Sequence, residues 1–373
     1  MKKSIDAAVE MRRIETRDFG ADVVRIYAVI MVLTLHFFLR NGFYDREMND
    51  IWGILVMTVR SVSLCCVPLF IVLTGYLKCG KEWNAKYYCS LLPILLSFVL
   101  ISLIHLPYKI FYGKEERSVV EWILQFFGFK LATYSWYVGM YIGLFLLIPL
   151  LNKIWAGCRT KRAHIGVILT LCAVTFLPAA VNLLITADTN LLPAYFSKMY
   201  YISYYFIGCY IRTYKPKVKH WALWVIIVLV GAGISVSNML TRTDPADFYT
   251  GFSASYDHIL TALLTTCTFL SLYQIRCTKY GTRWIAAKIS NIVFEIYLCS
   301  YLPDRIIYAS FDRSQPVMMY FPAGIAMVAA VFVISALLAY PVKRISRFLS
   351  DRIIRDVFAV RNKKTQKRTE MQT

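Results

Sequence analysis

The sequence contains little charge for its length. Only 17% of its 373 residues are Asp, Glu, Lys or Arg, whereas 58% are hydrophobic, and the mean hydropathy is +0.52. A soluble domain has about a quarter of its residues charged, so this chain has too few charges to cover a globule of its size. Its aromatic content of 15% suits the aromatic belts at the two faces of a bilayer. The composition excludes a soluble globular protein and indicates a membrane protein.

Several motifs of soluble enzymes and metal sites are also absent. The sequence contains no P-loop, no G-x-S-x-G nucleophile elbow and no H-E-x-x-H zinc motif. Its ten cysteines form no C-x-x-C pair, and all of them fall in predicted helices or predicted inner loops. Because disulfides form on the oxidising side of a membrane, we expect no disulfide. The isolated thiols do not have the spacing of metal ligands, so we expect no bound metal.

Long apolar segments occupy most of the chain. A helix that crosses a bilayer needs roughly 20 mostly apolar residues, and about ten segments satisfy this. The predicted spans are 21–39, 51–77, 87–107, 136–152, 165–186, 195–212, 221–240, 258–275, 287–308 and 319–340. A shorter apolar stretch, 118–129, is predicted to be a re-entrant or interfacial helix, either over a cavity mouth or as part of an ordinary loop. The sequence therefore predicts an all-α fold, a polytopic transmembrane helical bundle.

The net charge of +20 is distributed by topology. With the N-terminus in the cytoplasm, 30 of the 42 Lys and Arg residues fall on the inner side and 10 on the outer side, and the other two lie inside helices. This bias is typical of cytoplasmic loops and predicts both termini on the cytoplasmic side of the cell membrane. Residues 1–20 then form a cytoplasmic tail, 21–340 the membrane domain, and 341–373 a basic cytoplasmic tail, either helical on anionic lipid or solvated. No nucleic-acid-binding pattern is present.

The first predicted span carries two polar side chains, Arg25 and His36. Charges inside membrane helices are costly and usually mark function. The two residues are eleven positions apart, which on a helix places them on one face and about 16 Å apart along the axis. This stripe suits a ligand that enters from the cytoplasm with its anionic part at Arg25. The alternatives are an arginine that extends to lipid phosphates and a histidine that is hydrogen-bonded within the packing.

Six short motifs follow one another along the chain. They are the pair Arg25 and His36, Val67–Leu77, Leu92-Pro93, Ser135-Trp136-Tyr137 with Ile148-Pro149-Leu150, Tyr204–Tyr210, and Ser290 with Glu295–Leu298. Each motif alone is weak, but the ordered set spans most of the chain and resembles the motifs of the membrane-bound acyltransferase 3 family, in which the first pair belongs to the first helix. Many members have a histidine where this chain has Ser300, so a mechanism that needs that second histidine does not carry over.

The resemblance implies transfer of an acyl group, usually acetyl, from cytoplasmic acyl-CoA to a hydroxyl of an extracytoplasmic sugar or cell-surface glycan. His36 would then be the general base, since imidazole titrates near neutral pH. Arg25 would bind phosphate or other polar groups of the donor. The alternative is a multi-spanning transporter or flippase, or a non-catalytic partner in glycan export, because charges at depth suit transport as well.

Three further residues in the predicted spans are candidates for the site. Arg60 either lines a tunnel or stabilises an oxyanion, or it pairs with a carboxylate. Glu295 is the one carboxylate well inside a predicted helix, and we expect it to pair with Arg25 or Arg60. Trp136 is either an interfacial anchor or a platform that stacks on the acceptor.

The outer end of the ninth predicted span carries one further pair of charges. Asp304 and Arg305 occupy adjacent positions there. Charged side chains at the end of a span usually remain in water, and we expect both residues to lie at a solvated helix end.

Overall fold

The computed structural model describes residues 11–12, 14–184 and 192–370. Within these residues every regular element is helical, so the predicted all-α fold is confirmed. The helices are α1 (Phe19–Arg40), α2 (Ile51–Ser63), α3 (Cys66–Lys78), α4 (Ala85–Cys89), α5 (Leu92–Pro107), α6 (Val119–Phe127), α7 (Trp136–Gly157), α8 (Lys161–Thr175), α9 (Leu177–Leu184), α10 (Tyr200–Tyr214), α11 (His220–Thr241), α12 (Ile259–Tyr273), α13 (Tyr280–Ser290), α14 (Val293–Cys299), α15 (Tyr301–Ile307) and α16 (Tyr320–Glu370).

Seven helical stretches of the described chain are long and apolar enough to cross a membrane. They are Phe19–Arg40, Ile51–Lys78, Ala85–Tyr112, Trp136–Gly157, Lys161–Asn182, His220–Thr241 and Val317–Val357. The other three predicted spans fall on the 15-residue helices α10 and α12 and on the broken run α13–α15. The count of ten spans and the cytoplasmic placement of both termini stay predictions.

Helix α1 lies at the centre of the bundle. Its N-terminus is capped by Asp18, whose carboxylate accepts a hydrogen bond from the backbone N–H of Ala21 at 3.2 Å. From there α1 runs without a break to Arg40 and packs against α2, α3, α12, α13, α14, α15 and α16. Polar side chains on this helix therefore have protein neighbours on most sides.

Two prolines break the spans that carry the other site residues. Pro68 lies in the first turn of α3 and has no N–H to donate to the carbonyl of Leu64, the residue that follows α2. Pro303 lies in the first turn of α15 and likewise leaves the carbonyl of Cys299, the last residue of α14, without its helical donor. The breaks place Arg60 in the last turn of α2 and Asp304 in a separate short helix.

Helices α3 and α10 meet through two glycines. A Cβ atom on Gly75 would lie 2.0 Å from the carbonyl oxygen of Tyr205, and one on Gly208 would lie 2.1 Å from the carbonyl oxygen of Val72. Small residues that let two backbones approach are a common device of membrane helix packing. The contact fixes α3 beside α10, and α3 in turn packs on α1.

Helix α16 continues across the predicted domain boundary at residue 340. Lys343 and Ser346, which we had assigned to the basic tail, contact the bundle: the Nζ atom of Lys343 lies 2.9 Å from the Oε1 atom of Glu295, and Ser97 donates a hydrogen bond to Ser346 at 3.0 Å. Part of the segment 341–373 is therefore packed against α5 and α14.

The stretch 118–129 forms the short helix α6. It begins with a capping box in which Ser118 and Glu121 exchange hydrogen bonds with each other's backbone. Most of its apolar side chains are exposed, while the ring of Phe126 stacks on that of Phe98 of α5 at 5.2 Å. A short amphipathic helix that exposes apolar side chains fits the predicted interfacial position.

Candidate active site

Three cavities follow one another along α1. The basal cavity, of about 450 Å³, is lined by Arg17, Asp18, Arg25, Ser290, Lys343 and Arg347 among others. The middle cavity, of about 280 Å³, includes Arg25, Thr74, Lys78, Tyr137, Tyr141 and Lys343 in its wall. The His36 cavity, of about 340 Å³, is lined by His36, Tyr44, Arg60, Tyr134, Trp136 and Tyr256 among others.

The cavities share parts of their walls. Arg25 and Lys343 line both the basal and the middle cavity. Val32, Val67 and Tyr297 line both the middle and the His36 cavity. The two residues singled out in the first helix thus face consecutive cavities.

The imidazole of His36 lies between an aromatic ring and a carboxylate. Its ring stacks on that of Tyr134 with centroids 3.7 Å apart. Its Nδ1 atom lies 3.7 Å from the Oδ2 atom of Asp304, within ion-pair distance but longer than a hydrogen bond. Since Nδ1 is turned toward Asp304, Nε2 is the nitrogen that can face the cavity.

Asp304 contradicts our expectation of a solvated helix end. The residue is fully buried at 0% exposure, because α15 packs against α1 and α16, and its Oδ2 atom accepts a hydrogen bond from the hydroxyl of Tyr134. Only Arg305 is exposed as expected. Sequence reasoning missed Asp304 because it treated the ninth span as one straight helix; the signal that was present is Pro303, which predicts the break.

Arg25 belongs to a cluster of charges around Asp22. Its Nη1 atom donates to Oδ1 of Asp22 at 2.9 Å and to Oγ of Ser290 at 3.2 Å. Arg17 binds the same carboxylate through two hydrogen bonds of 2.6 and 2.7 Å. Because Arg17 shares the charge of Asp22, Arg25 keeps part of its donor capacity for the cavities that it lines.

Arg60 is buried, and its surroundings are aromatic. It is 6% exposed, its Nε atom donates to the hydroxyl of Tyr44 at 3.3 Å, and its guanidinium lies 4.6 Å from the ring centre of Phe248. Among the described residues no carboxylate lies within ion-pair distance of it. The structure therefore does not show the carboxylate pairing that was one of our two alternatives, and it places the side chain on the cavity of His36.

Glu295 forms an ion pair, but with neither of the arginines expected. Its Oε1 atom accepts from Nζ of Lys343 at 2.9 Å and from Oγ of Ser97 at 2.7 Å, and the residue is fully buried. The carboxylate thereby holds Lys343 at the wall of the basal and middle cavities. No sequence pattern connects a lysine of the predicted tail with a site in the bundle.

Trp136 lies at the rim of the His36 cavity. It is the first residue of α7, it is 43% exposed, and its ring stacks on that of Tyr256 at 6.1 Å. Ser300, which replaces the family's frequent histidine, is buried and donates to the carbonyl of Tyr297 at 2.8 Å. The hydroxyl of Ser300 is thus used within its own helix. Asp304, one turn later, is the residue of this stretch that approaches His36.

A family model described as an acyltransferase domain matches residues 18–340. The chain belongs to the acyltransferase 3 family. The matched region begins at the N-cap of α1 and contains every residue of the His36 cavity named above, so the chain is a membrane acyltransferase. Lys343 and Arg347 lie just beyond the matched residues. No curated protein and no solved structure matches the chain.

Proposed function

We propose that this acyltransferase moves an acyl group, acetyl in the first instance, from cytoplasmic acyl-CoA to a hydroxyl of an extracytoplasmic sugar or cell-surface glycan. It would work in the cell membrane and form an O-acyl ester. The observation that carries the proposal is the position of His36 beside the buried carboxylate of Asp304, in a cavity that adjoins the cationic one on the same helix.

The basal cavity suits the phosphates of coenzyme A. Of the described residues that line it, four are cations, Arg17, Arg25, Lys343 and Arg347, and one is a carboxylate, Asp18. Arg17 and Arg25 share the carboxylate of Asp22, and Lys343 pairs with Glu295. Arginine forks and lysine ammonium groups are the usual ligands of phosphate. Because both tails are predicted to be cytoplasmic, this cavity would open to the side on which acyl-CoA is made.

The middle cavity suits the pantetheine arm. Much of its wall is apolar or aromatic, as in Phe70, Tyr137, Tyr141 and Phe294. The eleven residues from Arg25 to His36 rise about 16 Å on an α-helix, a length comparable with that of the arm. A donor with its phosphates at Arg25 would thus bring its thioester to the wall that the middle cavity shares with the His36 cavity.

The chemistry would follow from general base catalysis. Nε2 of His36 takes the proton of the acceptor hydroxyl, and the oxygen attacks the thioester carbonyl carbon. The C–S bond breaks as the tetrahedral intermediate collapses, the ester is formed, and the proton on His36 passes to the coenzyme A thiolate. Asp304 would orient the imidazole and stabilise its protonated form, as a carboxylate does in other histidine-based acyl transfer.

Binding of acetyl-CoA tests the donor half of the proposal. Purified full-length protein in detergent should gain thermal stability with acetyl-CoA, since a ligand that binds only the folded state stabilises it by RT ln(1 + [L]/Kd). The Arg25→Ala variant should need more acetyl-CoA for the same gain. An unchanged Tm at millimolar acetyl-CoA would contradict the proposal and favour a transporter of an unrelated solute.

Comparison of surface glycans tests the acceptor half. Mass spectrometry of cells with and without the gene should show O-acetyl groups that depend on the protein. Glycans of identical mass in both strains would contradict the assignment of a glycan as the acceptor. This result would not affect the assignment of acyl-CoA as the donor.

A further inference from the structure

Among the described residues that line it, the His36 cavity carries one fixed charge and no counter-ion. Of the described residues that line it, Arg60 alone is permanently charged and none is Asp or Glu. The Nη1 atom of Arg60 is buried and has no hydrogen-bond partner among the described residues. Buried charges in proteins are normally paired. The described residues that line this cavity provide no anion for Arg60, so an anionic ligand would complete the pair.

The guanidinium is fixed before any ligand binds. Its Nε atom donates to Tyr44, and one of its faces packs on Phe248 at 4.6 Å. These two partners belong to the short 3-10 helices Phe43–Asp45 and Phe248–Thr250, which contact each other. Since these contacts use Nε and a ring face, the described residues do not engage the terminal N–H groups of the guanidinium, and Arg60 lines the cavity.

The remaining wall of the cavity is aromatic. Tyr134, Trp136 and Tyr256 line it together with His36, and Trp136 and Tyr256 are nearly parallel, with an interplanar angle of 20°. Flat aromatic faces pack against the C–H faces of sugar rings, and Tyr and Trp combine such a face with a polar edge. The cavity volume of about 340 Å³ falls in the range of small-molecule sites, about 300–1,000 Å³.

We propose that the acceptor is an anionic glycan whose carboxylate or phosphate group binds Arg60 while His36 takes the proton from the hydroxyl to be acylated. This inference rests on the proposed function and narrows its acceptor class. A carboxylate of an acidic sugar and a phosphate on the sugar or its carrier offer the same chemistry to a guanidinium, since both accept charge-assisted hydrogen bonds from its N–H groups.

The experiment compares three small probes on the purified full-length protein in detergent. Methyl glucuronide carries a carboxylate, glucose-1-phosphate carries a phosphate, and methyl glucoside is neutral. Thermal shift without donor reports binding, and transfer from acetyl-CoA reports kcat/KM. We expect at least one anionic probe to bind at least about tenfold more tightly than methyl glucoside, the ratio that one charged hydrogen bond provides. Which of the two binds identifies the anionic group.

Variants assign the preference to one side chain. Arg60→Met should bind all three probes equally weakly, whereas Arg60→Lys should keep part of the preference because it keeps the charge. Arg46→Met is the matched control: Arg46 also lies over a tyrosine, at 5.8 Å from the ring centre of Tyr320, but it does not line the cavity. It should retain the full preference.

Three results would overturn the inference. Equal binding of all three probes to the wild-type protein would do so without any variant, and this comparison stands even if Arg60→Met does not fold. A preference that survives in folded Arg60→Met would place the anion elsewhere. If Arg60→Met slows transfer to every acceptor alike and still binds the anionic probes, Arg60 would stabilise the oxyanion of the tetrahedral intermediate instead. Failure of the proposed function is a separate result, because it would appear as no response to acetyl-CoA.

Discussion

The Nδ1 atom of His36 lies 3.7 Å from the carboxylate of Asp304, a residue with no exposed surface. The two residues come from the first and the fifteenth helix and are brought together by the packing of α15 on α1. A carboxylate at this position orients the imidazole so that its other nitrogen, Nε2, faces the cavity. Catalysis by His36 should therefore depend on Asp304.

Replacement of Asp304 by Asn should lower kcat for acyl transfer by roughly 10- to 100-fold, because the imidazolium formed in the transition state loses an opposite charge within ion-pair distance. The amide keeps the size of the side chain but not its charge, and KM for acetyl-CoA should change little because Asp304 does not line the basal or middle cavity. Steady-state kinetics on membranes or purified protein would measure both constants.

Arg305→Gln is the matched control for that substitution. Arg305 is the next residue in the chain and is exposed, so its loss should leave kcat within about twofold, as for surface changes generally. Equal losses in both variants would indicate damage to α15 and not a role for the carboxylate.

Replacement of Arg25 by Ala should raise KM for acetyl-CoA by at least about tenfold, since a charged hydrogen bond to phosphate is lost. The charge of Asp22 remains paired with Arg17 in this variant, so the fold should persist. Lys153→Ala removes an exposed cation that does not line the cavities and should not change KM. A lower kcat with unchanged KM in Arg25→Ala would contradict a donor-binding role.

The ion pair between Glu295 and Lys343 should stabilise the fold. In Glu295→Leu the ammonium group loses its buried partner, and we expect the free energy of unfolding to fall by roughly 1–3 kcal/mol. The double variant Glu295→Leu, Lys343→Leu should recover part of this loss, since it removes the unpaired charge. Thermal unfolding in detergent would show the order of the three Tm values. If the double variant loses more stability than the two single variants lose together, the result would argue against pairing.

Close packing of α3 on α10 predicts a sensitive glycine. A methyl group on Gly208 would overlap the carbonyl oxygen of Val72, so Gly208→Ala should destabilise the protein by roughly 1–3 kcal/mol through overpacking. Gly233→Ala in α11, where a Cβ would meet no atom within 4 Å, should be neutral or stabilise by up to about 1 kcal/mol. Equal Tm values for the two variants would contradict the helix contact.

Much of the architecture could be predicted from local patterns. Hydropathy alone placed the seven long helical stretches because a bilayer imposes both length and apolarity. It failed to anticipate the breaks at Leu64 and Ser300, although Pro68 and Pro303 mark both, because an apolar run continues across each of them.

The site could be predicted only where its residues share one helix. Arg25 and His36 face successive cavities because helical periodicity relates them. Asp304 and Lys343 reach the site through long-range packing. Each lies more than 250 positions along the chain from His36 and Arg25, and no spacing rule relates residues that far apart. For the same reason the partner expected for Glu295 was one of the known arginines and not a lysine beyond the predicted domain.

The most direct test of the account is acyl transfer by the His36→Ala variant. Membranes that contain the full-length protein would be given labelled acetyl-CoA, and the label in extracytoplasmic glycan would be measured together with the amount of protein. We predict that His36→Ala accumulates normally, still gains thermal stability with acetyl-CoA, and loses roughly 10²- to 10⁴-fold in rate, the contribution of a general base. Transfer at the wild-type rate by this variant would contradict the assignment of His36 as the catalytic base.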